Sequence, residues 1–217
     1  MKKALIIANG PNYNWQELIN PYQQDIILVL DGEYNSLLYT DLPIHSIIGD
    51  MDSISSYATK HALEKHITLI KRHNQNKTDL HKAIDYLDTV ENYAITIVKG
   101  TDGRTDHTLH NLQQLSKLYR DQRPITLLTA TERINVVKDN EVTVQGNSGE
   151  GISLVGAPHA IVTSTGLVYD LNDTTIAWCE SDSTSNTLKK NYATISVKGM
   201  VLLIQQHSLE NHNEIPP

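Results

Sequence analysis

The chain has 217 residues, 39% of them hydrophobic and 20% charged, with a formal net charge of −7. That length buries a real core, as one large domain or two small ones. The acidic balance, with no basic run among aromatics, argues against a nucleic-acid or membrane-surface partner. Cys179 is the single cysteine, so no disulfide forms within these residues and a cytoplasmic location is expected. No stretch approaches the ~20 apolar residues of a bilayer span. The apolar segment 4–8 behind Lys2 and Lys3 is too short for a signal-peptide core and reads as a buried strand.

Short apolar runs at 4–8, 25–30, 46–49, 67–70, 94–98 and 125–129 read as strands buried on both faces. Between them, residues 78–90 place Leu80, Ala83, Ile84, Leu87 and Val90 on one helical stripe. Residues 106–119 do the same with Leu109, Leu112, Leu115 and Leu118 or Tyr119. Strand and helix in alternation predict a mainly parallel sheet flanked by helices, a Rossmann-like α/β domain.

After residues 121–124 and one more strand the helical spacing disappears. Residues 133–146 resemble a hairpin turning at Asp139-Asn140. Short β-branched runs at 151–156, 159–164, 174–178, 193–199 and 200–205 predict an all-β sandwich or barrel. The change of rhythm divides the chain into 1–128 and 129–217. The polar, Pro-terminated tail 208–217 is expected to fray.

The polar residues fall at the carboxyl ends of the first-half strands, where open α/β sheets bind ligands. Asn9 and Gly10 follow the first strand, Asp31-Gly32 the second, Asp50 and Asp52 the third. The loop ending in Asp79 follows the fourth and "KGTDGRTDH" the fifth. In an extended segment Asp50 and Asp52 project together, and two like charges so placed call for a cation between them. The fourth and fifth loops also open helices, capped by Thr78 or Asp79 and by Thr105 or Asp106. Helix N-termini, the glycines Gly100 and Gly103 and the planar charge of Arg104 suit phosphate. Carboxylates for a hard cation beside phosphate-binding groups predict a metal–nucleotide site, with Mg²⁺ carrying a polyphosphate. Taken singly, Asp79 and Asp106 are also plain helix caps, and Arg104 a surface partner of Asp102 or Asp106. His107 and His110 lack the further ligands a zinc site needs.

"IIGDMDSI", "QNKTD", "GTDGRTDHTLHNL", "TSTGLVYDLND" and "STSNT" occur in the order seen in thiamine pyrophosphokinases, which the chain resembles over most of its length. The resemblance implies an ATP- and metal-binding α/β domain at 1–128 and a β-sandwich at 129–217 that binds thiamine and dimerises. It implies a homodimer with sites between subunits, and transfer of pyrophosphate from ATP to the hydroxyethyl group of thiamine, giving thiamine diphosphate and AMP. Under it, Asp50, Asp52 and Asp79 hold metal and act in catalysis with Arg104 and Asp106. Asn9, Asp31, Gln75, Thr78, Gly103 and His107 bind the nucleotide, and Tyr169, Ser185 and Asn186 meet thiamine. Four residues depart from the family's pattern. Glu33 and Asp102 stand where glycines are usual, Asn76 where an aspartate is frequent, and Tyr169 where a tryptophan commonly stacks. Rival readings are a D-x-D nucleotide-sugar transferase and a non-catalytic thiamine or nucleotide sensor.

Overall fold

The computed structural model describes residues 1–121 and 123–207, so the expected tail 208–217 lies outside the described residues. The chain divides into two compact units, residues 1–114 with 120–129, and 115–119 with 130 onward.

In the first unit β1 (Lys2–Ile7), β2 (Ile26–Leu30), β3 (Ser46–Gly49), β4 (Thr68–Lys71), β5 (Tyr93–Val98) and β6 (Ile125–Leu128) form a parallel sheet. Its order is β6-β5-β1-β2-β3-β4. The Rossmann-like α/β expectation is borne out. The central strands carry the near-continuous burial of a sheet covered on both faces, whereas β4, at the edge, is only half-buried. One face packs Leu5, Ile27, Val29 and Ile47 against Trp15, Tyr34, Ala58 and Ala62.

Helix α1 (Ser56–Glu64) has no counterpart in the sequence reading. It buries only Ala58 and Ala62, too narrow a stripe to show as a period, and Ser55 caps it by accepting from Ala58 N–H at 3.1 Å. Helix α2 (Asp79–Val90) buries Leu80, Ala83, Ile84 and Leu87 of the predicted stripe, Val90 at its last turn is instead 48% exposed, and Thr78 caps it. Helix α3 spans Thr105–Lys117, and Leu109, assigned to its apolar stripe, is instead 46% exposed.

The second unit is strand-rich: β7 (Glu132–Gln145), β8 (Gly151–Thr165), β9 (Thr174–Ala177), β10 (Ser183–Thr187) and β11 (Tyr192–Gln206). They pair antiparallel in the order β10-β8-β11-β7, with β9 also on β8. The predicted hairpin at Asp139-Asn140 is absent, because β7 runs straight through it. Asp139 takes a φ of 44° and its carboxylate accepts from Gly199 N–H at 2.7 Å, opposite the register shift between Val197 and Met200. The turn-forming residues make a bulge. In the same way the predicted strand pairs 151–156/159–164 and 193–199/200–205 are the two arms of β8 and of β11. Both arms of each strand supply one apolar core, with Ile152, Leu154 and Val162 from β8 and Ile195, Val197 and Leu203 from β11.

No helix among the described residues is long and apolar enough to cross a membrane.

Candidate active site

Strand order in the first unit reverses at β1, which lies between β5 and β2. The crevice beyond the carboxyl ends of β1 and β5 is therefore the topological switch point, where open α/β sheets take ligands. A cavity of about 380 Å³ opens there. Asn9 and Gly10 line it from the β1 end, Asp31 from the β2 end, and Lys99, Gly100 and Gly103 from the β5 end. The first turns of α2 and α3 add Thr78, Asp79, Arg104, His107 and Thr108. Two helix N-termini thus face one polar cavity, and their free N–H groups favour anions.

Beside it, carboxylate oxygens of Asp31, Asp50 and Asp52 lie within 4.8 Å of one another. The local backbone differs from the extended segment expected. Strand β3 ends at Gly49, and Met51 adopts a left-handed φ of 69°, so a tight turn brings Asp50 and Asp52 together. Asp31 stabilises that turn, accepting from Met51 N–H at 2.8 Å and from Gly32 N–H at 2.7 Å. The approach is so close that a Cβ at Gly49 would stand 2.4 Å from the Asp31 carboxyl carbon.

The charges are not balanced evenly. Burial, then the negative charge of Asp79, pushes the Asp31 carboxyl above the ordinary value, against the pull of its two hydrogen bonds. Burial also opposes ionisation of Asp50. The Asp52 N–H, the Lys82 ammonium and the Gln75 amide, at 3.3 Å, outweigh it and hold Asp50 below the ordinary value. Asp79, expected to be the third metal ligand, is ion-paired to Lys82 at 2.8 Å, and Lys82 reaches Asp50 at 3.7 Å.

Lys82 was missed in the sequence. Its signal is a lysine three residues after Asp79 on a helix, buried to 5% exposure among apolar neighbours.

At the start of α3, the fork of Arg104, the residue before the helix, grips Asp106 through Nε at 3.1 Å and Nη2 at 2.6 Å. That grip holds Asp106 at about 2, with the His107 N–H, at 3.0 Å, adding to it. Asp102 sits in the glycine-like φ of 66°; its carboxylate accepts from the Thr101 hydroxyl and is exposed, outside the cavity lining. The departure from glycine therefore puts no charge into the cavity.

In the second unit, Asn186 is buried and its amide is bonded at both ends. Its Nδ2 donates to the Tyr169 carbonyl at 2.7 Å, and its Oδ1 accepts from Tyr169 N–H at 3.1 Å and Thr187 N–H at 2.9 Å. Ser185 is exposed at a φ of 59° and Tyr169 is 72% exposed. Asn186 thus spends its side chain on the backbone of Tyr169 and Thr187, and presents Tyr169 rather than itself.

Comparison with known proteins follows this division. Residues 18–127 match the thiamin pyrophosphokinase catalytic domain, and residues 133–202 match the thiamin pyrophosphokinase vitamin B1 binding domain. The chain is 31% identical to thiamine pyrophosphokinase 1 of Arabidopsis thaliana, over 95% of this chain and 82% of the relative. It is 28% identical to thiamin pyrophosphokinase 1 of Caenorhabditis elegans, over 83% and 78%. The crystal structure of thiamine pyrophosphokinase from Bacillus subtilis superposes with a TM-score of 0.81 at 25% identity, covering 94% of this chain and 99% of that one. Two domain models matched in order, each on the unit whose chemistry it describes, together with relatives aligned through both, leave one conclusion: the chain belongs to the thiamine pyrophosphokinase family.

Proposed function

We propose that this enzyme transfers pyrophosphate from ATP to the hydroxyethyl oxygen of thiamine, giving thiamine diphosphate and AMP. The observation that carries the reading is the cavity at the switch point, lined by two helix N-termini and opening beside three clustered carboxylates. A D-x-D nucleotide-sugar transferase has no use for a vitamin B1 binding domain.

Asp31, Asp50 and Asp52 offer hard oxygen donors close enough to share one ion. The set fits a magnesium ion, and Asp79 borders it through Lys82. Bound there, the ion supplies charge neutralisation to the phosphate oxygens.

The chain's own groups do the rest. N–H groups at the starts of α2 and α3 hold the triphosphate, and Arg104, with three of its five N–H donors left over from Asp106, meets charge as it builds on the transferred group. Asp106 is gripped by Arg104 through both oxygens, and that pairing aims the Arg104 fork. Tyr169, whose backbone Asn186 holds, offers a π-face for the thiamine rings, and Ser185 offers a hydroxyl.

The reading extends to a cytoplasmic homodimer in which the sandwich of one subunit covers the crevice of the other. The family resemblance and the exposure of Val168, Tyr169, Trp178 and Tyr192 support that assembly.

Incubation of purified protein with thiamine, ATP and Mg²⁺, followed by chromatography, tests the proposal. AMP and thiamine diphosphate in equal amounts are expected. ADP with thiamine monophosphate, or no product, would overturn it.

A further inference from the structure

A buried ion pair lies against the cavity and the reaction does not use it. Glu33, standing where the family resemblance expects glycine, is 2% exposed, and Lys99 is 4% exposed. The Lys99 ammonium donates to the Glu33 carboxylate and, at 2.7 Å, to Asn12 Oδ1. Glu33 also accepts from the Ser36 hydroxyl at 2.6 Å. Lys99 itself holds a φ of 58°, a left-handed conformation that costs an ordinary side chain about 1 kcal/mol or more.

Its backbone is equally committed. The Lys99 N–H donates to the Tyr13 hydroxyl at 3.1 Å, and that hydroxyl donates on to the Leu128 carbonyl at 2.5 Å. A Cβ at Gly10 would stand 2.3 Å from the Lys99 carbonyl oxygen. One residue thus ties the loop after β5 to the loops after β1 and β2, the three neighbouring strands whose ends make the switch point. The β2 loop carries Asp31, two residues before Glu33, and is fastened on its far side where Asn35 donates to the Ser53 carbonyl at 2.9 Å.

We propose that Glu33 and Lys99 are a positioning pair that sets the floor of the nucleotide cavity and the place of Asp31, so that ATP affinity in this chain depends on both. A lysine strained into a glycine-like backbone and a glutamate at a glycine position each make sense through the other. A buried charge left alone is far more costly than a buried pair. The inference rests on the ATP reading of the cavity.

The test measures ATP binding by calorimetry on folded Glu33→Gln, Lys99→Met and the double variant. Each single variant is expected to lose about tenfold in affinity, the effect of roughly 1.4 kcal/mol. The double variant is expected to be no worse than the weaker single, because coupled partners do not add. The loss shows in the Michaelis constant for ATP more than in turnover. If a single variant fails to fold, the double variant, which buries no unpaired charge, carries the test and must still bind ATP about tenfold more weakly. Affinity within twofold of wild type in a folded variant, or single effects that simply multiply, would overturn the pair. Wild-type protein that binds no ATP would overturn the reading of the cavity, and the pair with it.

Discussion

The crevice of the first unit and the Tyr169 loop of the second are built in different ways. In the crevice, side-chain charges are crowded, partly buried and unevenly balanced, and the backbone bends into left-handed turns at Met51, Lys99 and Asp102 to place them. Around Tyr169 the holding group is neutral, and the adjacent Asp170 carboxylate is taken up by the Leu167 N–H at 3.0 Å. A buried amide, Asn186, spends its hydrogen bonds on backbone and leaves an aromatic face outside. The first kind of site acts through charge and responds to neutralisation and pH; the second acts through shape and responds to loosening.

Neutralising substitutions break the comparison most strongly on the charged side. Asp50→Asn and Asp52→Asn should each lower kcat/KM by roughly 10²-fold or more, with unchanged circular dichroism. Near wild-type turnover in both would remove the cluster from the reaction. Arg104→Lys keeps the charge and loses the fork, so turnover should fall by about 10²-fold while the Michaelis constant for ATP moves little. A change confined to that constant would make Arg104 a ground-state ligand only.

On the neutral side, Asn186→Ala should raise the Michaelis constant for thiamine about tenfold, from lost hydrogen bonds of ~1 kcal/mol each. ATP binding should be untouched, and the combination with Tyr169→Ala should be no worse than Tyr169→Ala alone. Additive losses would show that Asn186 meets thiamine directly.

The smallest effect is one of stability. Asp31 has a carboxyl raised above its unfolded value, so the native state holds that proton more tightly. Stability is therefore lost as pH rises through the window from the ordinary value to the raised one. Metal-free Asp31→Asn should melt above wild type at pH 7, and the gap should close as pH falls below ~4. A gap independent of pH would assign the difference to packing.

What the sequence disclosed follows the range of each interaction. Strands β1 to β6 and helix α2 were legible because periodic burial is a local signal. The gathering of Asp31, Asp50 and Asp52 was legible as carboxylates at successive strand ends, although the turn at Met51 that joins them was read as extended. Lys82 and the Glu33–Lys99 pair were not, because the partner of a buried charge can lie anywhere along the chain. In the second unit, Asp139-Asn140 and Gly199 carry turn chemistry but serve bulges within β7 and β11. Residue type marks a kink in the backbone without saying whether the chain reverses there.

The sheet order has a consequence for how the protein is made. β11 pairs along its length with both β7 and β8, so the final described strand is the middle of the second unit's sheet. The first unit's sheet is complete once β6 has left the ribosome, and domains fold as their chain emerges. The second must wait, with the facing edges of β7 and β8 open to any passing strand until synthesis passes Gln206. A message truncated within β11 would yield a finished α/β unit tethered to two unpaired edges, a product fit for aggregation and for the quality-control proteases.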